Sequence, residues 1–170
     1  MNTTLHLRQV READKEVLCS IRQDALMLDA LMSYPDPEPI GRDAAEGWIK
    51  ARQMDATRVV RSIADDKDRA VGYVQITGQH GKGRFAWFAI ALAREAQGKG
   101  LGADAMKLLM AFACDELQLR KLLCEVRTDN SRAIRLYTRL GFSTVGTLAR
   151  HYLDLSGHWR DVNIMERMLP

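Results

Sequence analysis

The chain has 170 residues, 46% of them hydrophobic and 28% charged, and a formal net charge of +3. That is the length of one ordinary domain with room for a real core, and residues 1–170 read as a single domain because no linker or repeat divides them. The small basic excess does not point to nucleic acid, and no apolar run is long enough to span a bilayer.

The segment from Met1 to Val10 lacks the apolar block of a signal peptide. Three cysteines, Cys19, Cys114 and Cys124, form no metal-ligand spacing. They read as reduced core thiols, so a cytoplasmic protein is expected.

Leu5, Leu7 and Gln9 alternate with His6, Arg8 and Val10, the pattern of a first strand. From Asp14, the spacing of Val17, Leu18, Ile21, Ala25 and Leu28 predicts a helix. Three prolines between Ser33 and Gly41 forbid regular structure there and predict a stiff loop. A second helix is expected from Asp43 to about Met54. Arg58 to Ala64 and Val71 to Thr77 read as strands about the turn Asp65 to Asp68. Gly78 to Gly83 predicts another turn, leading into a strand from Phe85 to Leu92. Leu101, Ala105, Leu108, Leu109, Phe112, Ala113 and Leu117 make the apolar stripe of a long helix. Leu122 to Val126 reads as a strand buried on both faces. Asn130 opens a short helix through Leu140, closed by Gly141 in the left-handed position with Phe142 just beyond. Two last strands flank the turn at Ser156 and Gly157. This order predicts an α/β fold: a mixed, mostly antiparallel sheet of about seven strands with helices on both faces.

Between a strand and the long amphipathic helix stands Gln97-Gly98-Lys99-Gly100-Leu101-Gly102. A helix start leaves about four unpaired N–H groups and about half a positive charge. Glycines there let an anion approach the backbone, which makes a phosphate cradle. The same residues also suit a plain tight turn. The P-loop pattern is absent. Gly98, Gly100 and Ala103 fit the dinucleotide spacing, but that motif opens a parallel βαβ unit and this one follows an antiparallel meander.

Gln97-x-x-Gly100-x-Gly102, followed by the segment from Asn130 through Tyr137 to Phe142, resembles the two signatures of the GNAT superfamily of N-acetyltransferases. The resemblance is sharp from Phe85 to Phe142. It implies acetyl-CoA as the acyl donor. Backbone groups of Ile90, Ala91 and Leu92 would pair with the pantetheine arm. Amides from Gly98 to Gly102, with Gln97, Lys99 and Leu101 in the same turn, would hold the pyrophosphate. Asn130 would bond the pantetheine region, although an N-cap explains it equally well. Lys99 and Arg135 lie within reach of phosphates or simply face solvent. A homodimer is a common assembly in the family.

The implied reaction is direct attack of a primary amine on the thioester. An alkyl amine has a pKa of roughly 10, so something must take its proton, and the leaving thiolate gains from a donor. Tyr137, two helical turns after Asn130, is the donor that the resemblance implies; its alternative is a core aromatic beside Ala133 and Leu140. Many family members carry a carboxylate on the strand before the glycine turn, where this chain has Trp87. Glu125, twelve residues before Tyr137, is then the expected base, as in the ribosomal-protein alanine acetyltransferases; its alternative is an ion pair with an arginine such as Arg127. His80 and His158 are alternative bases, but each sits near a predicted turn and reads as a surface residue; His151 lies near the last strands. No pair of histidines has ligand spacing, and the reaction calls for no metal.

The resemblance further implies an acceptor site built from Leu31 to Trp48 and from about Arg150 to Trp159. Tyr34, Trp48, Tyr152 and Trp159 offer aromatic walls, and Asp36, Glu38, Asp154 and Asp161 would attract a cation, but each suits a solvated loop equally well. A protein N-terminus, an amino acid, a polyamine and an amino sugar all remain open as acceptors. Two other classes stand beside the enzyme: a non-catalytic acyl-CoA-binding module of the same fold, and an NAD-dependent oxidoreductase.

Overall fold

The computed structural model describes residues 4–32, 47, 50–51, 54–55 and 57–170. Its strands are β1 (His6–Arg8), β2 (Val59–Ala64), β3 (Ala70–His80), β4 (Phe85–Leu92), β5 (Lys121–Arg127), β6 (Ser143–Leu153) and β7 (Trp159–Met168). They form one seven-stranded sheet in the order β1-β2-β3-β4-β5-β7-β6. Every neighbouring pair is antiparallel except β4 and β5, which run parallel. The parallel pair needs a crossover, and the long helix α3 (Leu101–Asp115) supplies it.

Helices cover both faces. On one, Ala105, Met106, Leu109 and Phe112 of α3, with Tyr137 of α4 (Ser131–Arg139), pack on Val74, Ile76, Phe88, Leu122 and Met165. On the other, Leu18, Cys19 and Ile21 of α1 (Lys15–Arg22) pack on Tyr73 and Ala91. The expected mixed, mostly antiparallel architecture is the one observed.

Three local expectations change. The helix expected from Asp14 breaks at Gln23 and resumes as α2 (Ala25–Ala30), because the Asp24 side chain accepts from Met27 N–H at 3.1 Å and caps a new start. β3 runs past Gly78 to His80, with the register irregularity between Thr77 and His80 absorbing the glycine's positive φ. The turn is therefore 81–84. β5 is not buried on both faces: Leu122, Cys124 and Val126 are buried, whereas Glu125 between them is exposed. The loop expected from Ser33 to Gly41, with Tyr34, Asp36 and Glu38, and Trp48 of the second helix lie outside the described residues. Of that helix, Gly47, Lys50, Ala51 and Met54 are helical.

The β1 edge is fastened by a buried carboxylate. Asp14, 1% exposed, accepts from Arg8 at 2.6 and 2.8 Å, from Arg11 N–H at 2.9 Å and from the Ser62 hydroxyl at 2.7 Å. Burial pushes its pKa up, but the bonds from Arg8, Arg11 and Ser62 outweigh it and hold the group below its ordinary value. A carboxylate with a lower pKa folded than unfolded gives its full stabilisation above about pH 4 and loses it as the pH falls further. Asp14→Ala takes the acceptor from the Ser62 hydroxyl and Arg11 N–H, leaves Arg8 with Asp68 as its remaining carboxylate partner, and costs about 3 kcal/mol. For a chain of this size that is a Tm lower by roughly 6–12 °C, read by thermal unfolding at neutral pH. The gap to wild type narrows below about pH 4.

Candidate active site

The parallel pairing of β4 and β5 lasts only from Phe85–Lys121 to Trp87–Leu123. β4 then continues to Leu92 with β3 alone beside it, while β5 continues along β7 to Arg127. The two strands part, and a cavity of about 540 Å³ opens between them. Ala93 N–H donates to Val71 O, so the alternation of an antiparallel ladder also turns the backbone groups of Ala91 towards β3. Those of Ile90 and Leu92 face the opening. All three residues line it.

Tyr137 and Glu125 reach this cavity from opposite sides of the sheet. Tyr137 packs edge-on against Phe88, with ring centroids 5.6 Å apart and planes at 88°. Phe88 and Cys124 belong to the core face under α3 and α4. Glu125 points to the other face, with Trp87 and Leu123, because side chains alternate along a strand. Both still line one space, since no strand separates them beyond Trp87. The Met27 to Met32 end of α2 closes the Glu125 side.

α4 is held where it places Tyr137. The Asn130 side chain accepts from Ala133 N–H at 3.1 Å, so the capping role is real, and its amide nitrogen stays available to a ligand. At the other end, Phe142 N–H donates to Tyr137 O and Gly141 N–H to Thr138 O, both at 3.0 Å, with Gly141 at φ +84°. This is a Schellman closure, with the Phe142 ring on Tyr137 as its apolar contact. Arg167 of β7 caps the Leu140 carbonyl.

Burial, and after it the neighbouring Cys124, push the Tyr137 hydroxyl above its ordinary value, so it carries its proton throughout the neutral range. Among the described residues its hydroxyl has no hydrogen-bond partner. Glu125 has no ion pair among them either. Arg127, its expected alternative partner, is taken by Asp29 and Asp129.

The glycine turn meets the helix start as expected. Gly98 and Gly100 have φ of +76° and +80°, and a Cβ on either would touch nothing within 4 Å. They are needed for backbone conformation, not for room. Gly102 differs: its Cβ would sit 3.4 Å from Leu136 of α4. No side chain caps α3, so the N–H groups of Leu101 and Gly102 have no acceptor within the helix. Gln97 and Gly102 line the cavity; Gly98, Lys99 and Gly100, between them in the chain, are exposed, and Leu101 packs against the core. Gln97 Nε2 donates to Leu92 O at 3.0 Å and pins the free end of β4 to the turn. The sequence offered no sign of that bond, nor of the α2 wall. This donor set suits a phosphate followed by an amide-bearing chain: free helix N–H groups first, then an unpaired strand edge.

The family model described as "Acetyltransferase (GNAT) domain" matches residues 4–143. Spermidine N(1)-acetyltransferase of Escherichia coli K12 is 38% identical over 104 residues, 61% of this chain and 54% of that protein, so the match spans about half the length of that curated relative. Spermidine N(1)-acetyltransferase of Vibrio cholerae is 26% identical over 166 residues, 97% of this chain and 93% of that protein. The crystal structure of a Vibrio cholerae spermidine N-acetyltransferase in complex with CoA and spermine shares the fold. Its TM-score is 0.87 at 22% identity, over 96% of this chain and 95% of that one.

Cys124 lines the same cavity on the Tyr137 face and is the rival nucleophile to weigh; burial, then the Glu125 charge, push its thiol up to about 12. It therefore stays a thiol near pH 8. Iodoacetamide at pH 8 labels the half-exposed Cys114 and leaves Cys124 unmodified, as peptide mass mapping reads out. Ready labelling of Cys124 would reopen an acyl-enzyme route.

Proposed function

The chain belongs to the GNAT acetyltransferase family, and we propose that it transfers the acetyl group of acetyl-CoA to a primary amine by direct attack. The carrying observation is the single cavity that joins Tyr137, Glu125 and the glycine start of α3 through the parted strands. Bound acetyl-CoA supplies an activated thioester. Amides from Gly98 to Gly102 hold its pyrophosphate at the positive end of α3, with Lys99 beside it in solvent. The edge of β4 at Ile90 and Leu92, steadied by Gln97, holds the pantetheine arm with Asn130. Ala91 of β4 ties that edge to β3.

Glu125 accepts the proton of the incoming amine, directly or through water. It suits the task because it is solvated at the cavity wall and no cation among the described residues pairs with it. Tyr137 gives a proton towards the sulfur that leaves. A protonated phenol next to a departing thiolate is the right donor, and its burial keeps competing water away. The two groups stand on opposite faces of the sheet, so donor and acceptor enter from opposite sides.

A polyamine of the spermidine type is the first acceptor to test. The relative named for it in Vibrio cholerae aligns over nearly the whole chain, acceptor half included. The three free cysteines agree with a cytoplasmic setting.

Acetyl-CoA raises the Tm of the chain and NAD does not. The reverse result overturns the proposal. A screen of amines with spermidine at its head, read by thiol release from acetyl-CoA, separates an enzyme from a binding module: the module gives the Tm shift without thiol. Tyr137→Phe lowers kcat about 100-fold and leaves acetyl-CoA affinity within about threefold. Glu125→Gln lowers kcat by a similar factor, and unchanged turnover in either variant removes that residue from its role.

A further inference from the structure

Asp29 of α2 is only 9% exposed and serves partners from three other places in the chain. Its Oδ2 accepts from Arg127 of β5. Its Oδ1 accepts from the Tyr152 hydroxyl of β6 and from Leu155 N–H in the β6–β7 turn, each at 3.1 Å. The rest of the Arg127 guanidinium is held by Asp129 at 2.9 and 2.7 Å. Arg160 of β7 continues the series, 3.7 Å from Asp129 and 2.5 Å from Asp154. Positive and negative groups thus alternate from α2 to the tip of the hairpin.

Two consequences bear on the cavity. Met27, Ala30, Leu31 and Met32, on either side of Asp29 in the chain, form the wall that faces Glu125. Where Asp29 is held, that wall is held. Arg127 also shares a strand face with Glu125 two residues earlier, about 7 Å along the backbone. A guanidinium without partners there would turn to the Glu125 carboxylate; two aspartates keep it from doing so.

We propose that Asp29 is a positioning residue for the acceptor half of the site, fixing the α2 wall and the β6–β7 hairpin against β5 and withholding Arg127 from Glu125. This rests on the reading of the cavity as an amine acetylation site. The two can fail separately, because the wild-type chain is assayed for acetyl-CoA binding and for thiol release with spermidine before any variant is compared.

The test is Asp29→Asn in the full chain, with Tyr152→Phe as a second variant that removes one bond without stranding a charge. With spermidine, or the best amine of the screen, KM for the amine rises about tenfold in Asp29→Asn and about threefold in Tyr152→Phe. KM for acetyl-CoA and the Tm shift it causes stay within about twofold. The double variant is no worse than Asp29→Asn, because both bonds belong to one unit. Hydrogen exchange gives a readout without substrate: amides of residues 27–32 and Leu155 exchange faster in either variant, and those of 101–115 do not. An Asp29 that serves stability alone would lower Tm and move both KM values together, or leave the amine KM unchanged. Either pattern in both variants overturns the proposal.

Discussion

Everything distinctive in this molecule follows from the end of one ladder. β4 and β5 pair over three residues, and their other neighbours then draw them apart: β3 keeps β4, and β7 keeps β5 over its full length. Backbone groups cannot be left buried without partners. The strand edge at Ile90 and Leu92 is therefore satisfied by water, by the Gln97 side chain, or by a ligand with amides of its own. A sheet that closed fully would leave neither cavity nor edge. The parallel crossover also places the start of α3 directly after β4, so the phosphate cradle and the open edge are consecutive in the chain.

On the proposed roles of Tyr137 and Glu125, the same parting resolves a conflict in the chemistry. Amine acetylation wants a protonated donor near the sulfur and an ionised acceptor near the amine. Set side by side on one surface, a phenol and a carboxylate would share a hydrogen bond, and each would lose its purpose. Here the sheet stands between their environments. Tyr137 lies in the aromatic cluster with Phe88 and Phe142, where burial raises its pKa. Glu125 lies on the opposite face, solvated and unpaired among the described residues. One strand alternation produces two dielectric settings, and the gap between β4 and β5 lets both reach one ligand.

The sequence showed most of what depends on neighbours in the chain. The glycine turn, the α3 stripe, the Asn130 cap and the Gly141–Phe142 closure are local devices, and each appears where its spacing predicts, save that Leu117 of the stripe falls past the helix end at Asp115. Failures came where a short-range alternative won or where distance in sequence hid a contact. Asp24 competes for Met27 N–H and splits a helix whose apolar spacing runs on unbroken. β5 looked doubly buried because Leu122 to Val126 is apolar apart from Glu125, and only the parting from β4 exposes that side. Arg127 was the natural partner for Glu125 by proximity, but its partner Asp29 lies 98 residues away in the chain. Nothing local marks Asp29 as important.

That contrast reflects how the two halves of the site recognise their ligands. On the proposed reading, phosphate and pantetheine are gripped by main-chain groups. Main-chain grip demands particular φ values at fixed spacing, and only glycine meets them cheaply. Such a demand is written into consecutive residues, which is why Gln97 to Gly102 can be read by eye. On the same reading, an amine is recognised by side chains brought from α2, β5 and the β6–β7 hairpin. Their geometry is fixed by ion pairs that cross the fold, and many residue sets could provide it. The donor half is therefore legible as a motif and the acceptor half only as a structure. Acceptor choice in this chain has to be sought in the elements that Asp29 ties together, not in the glycine turn.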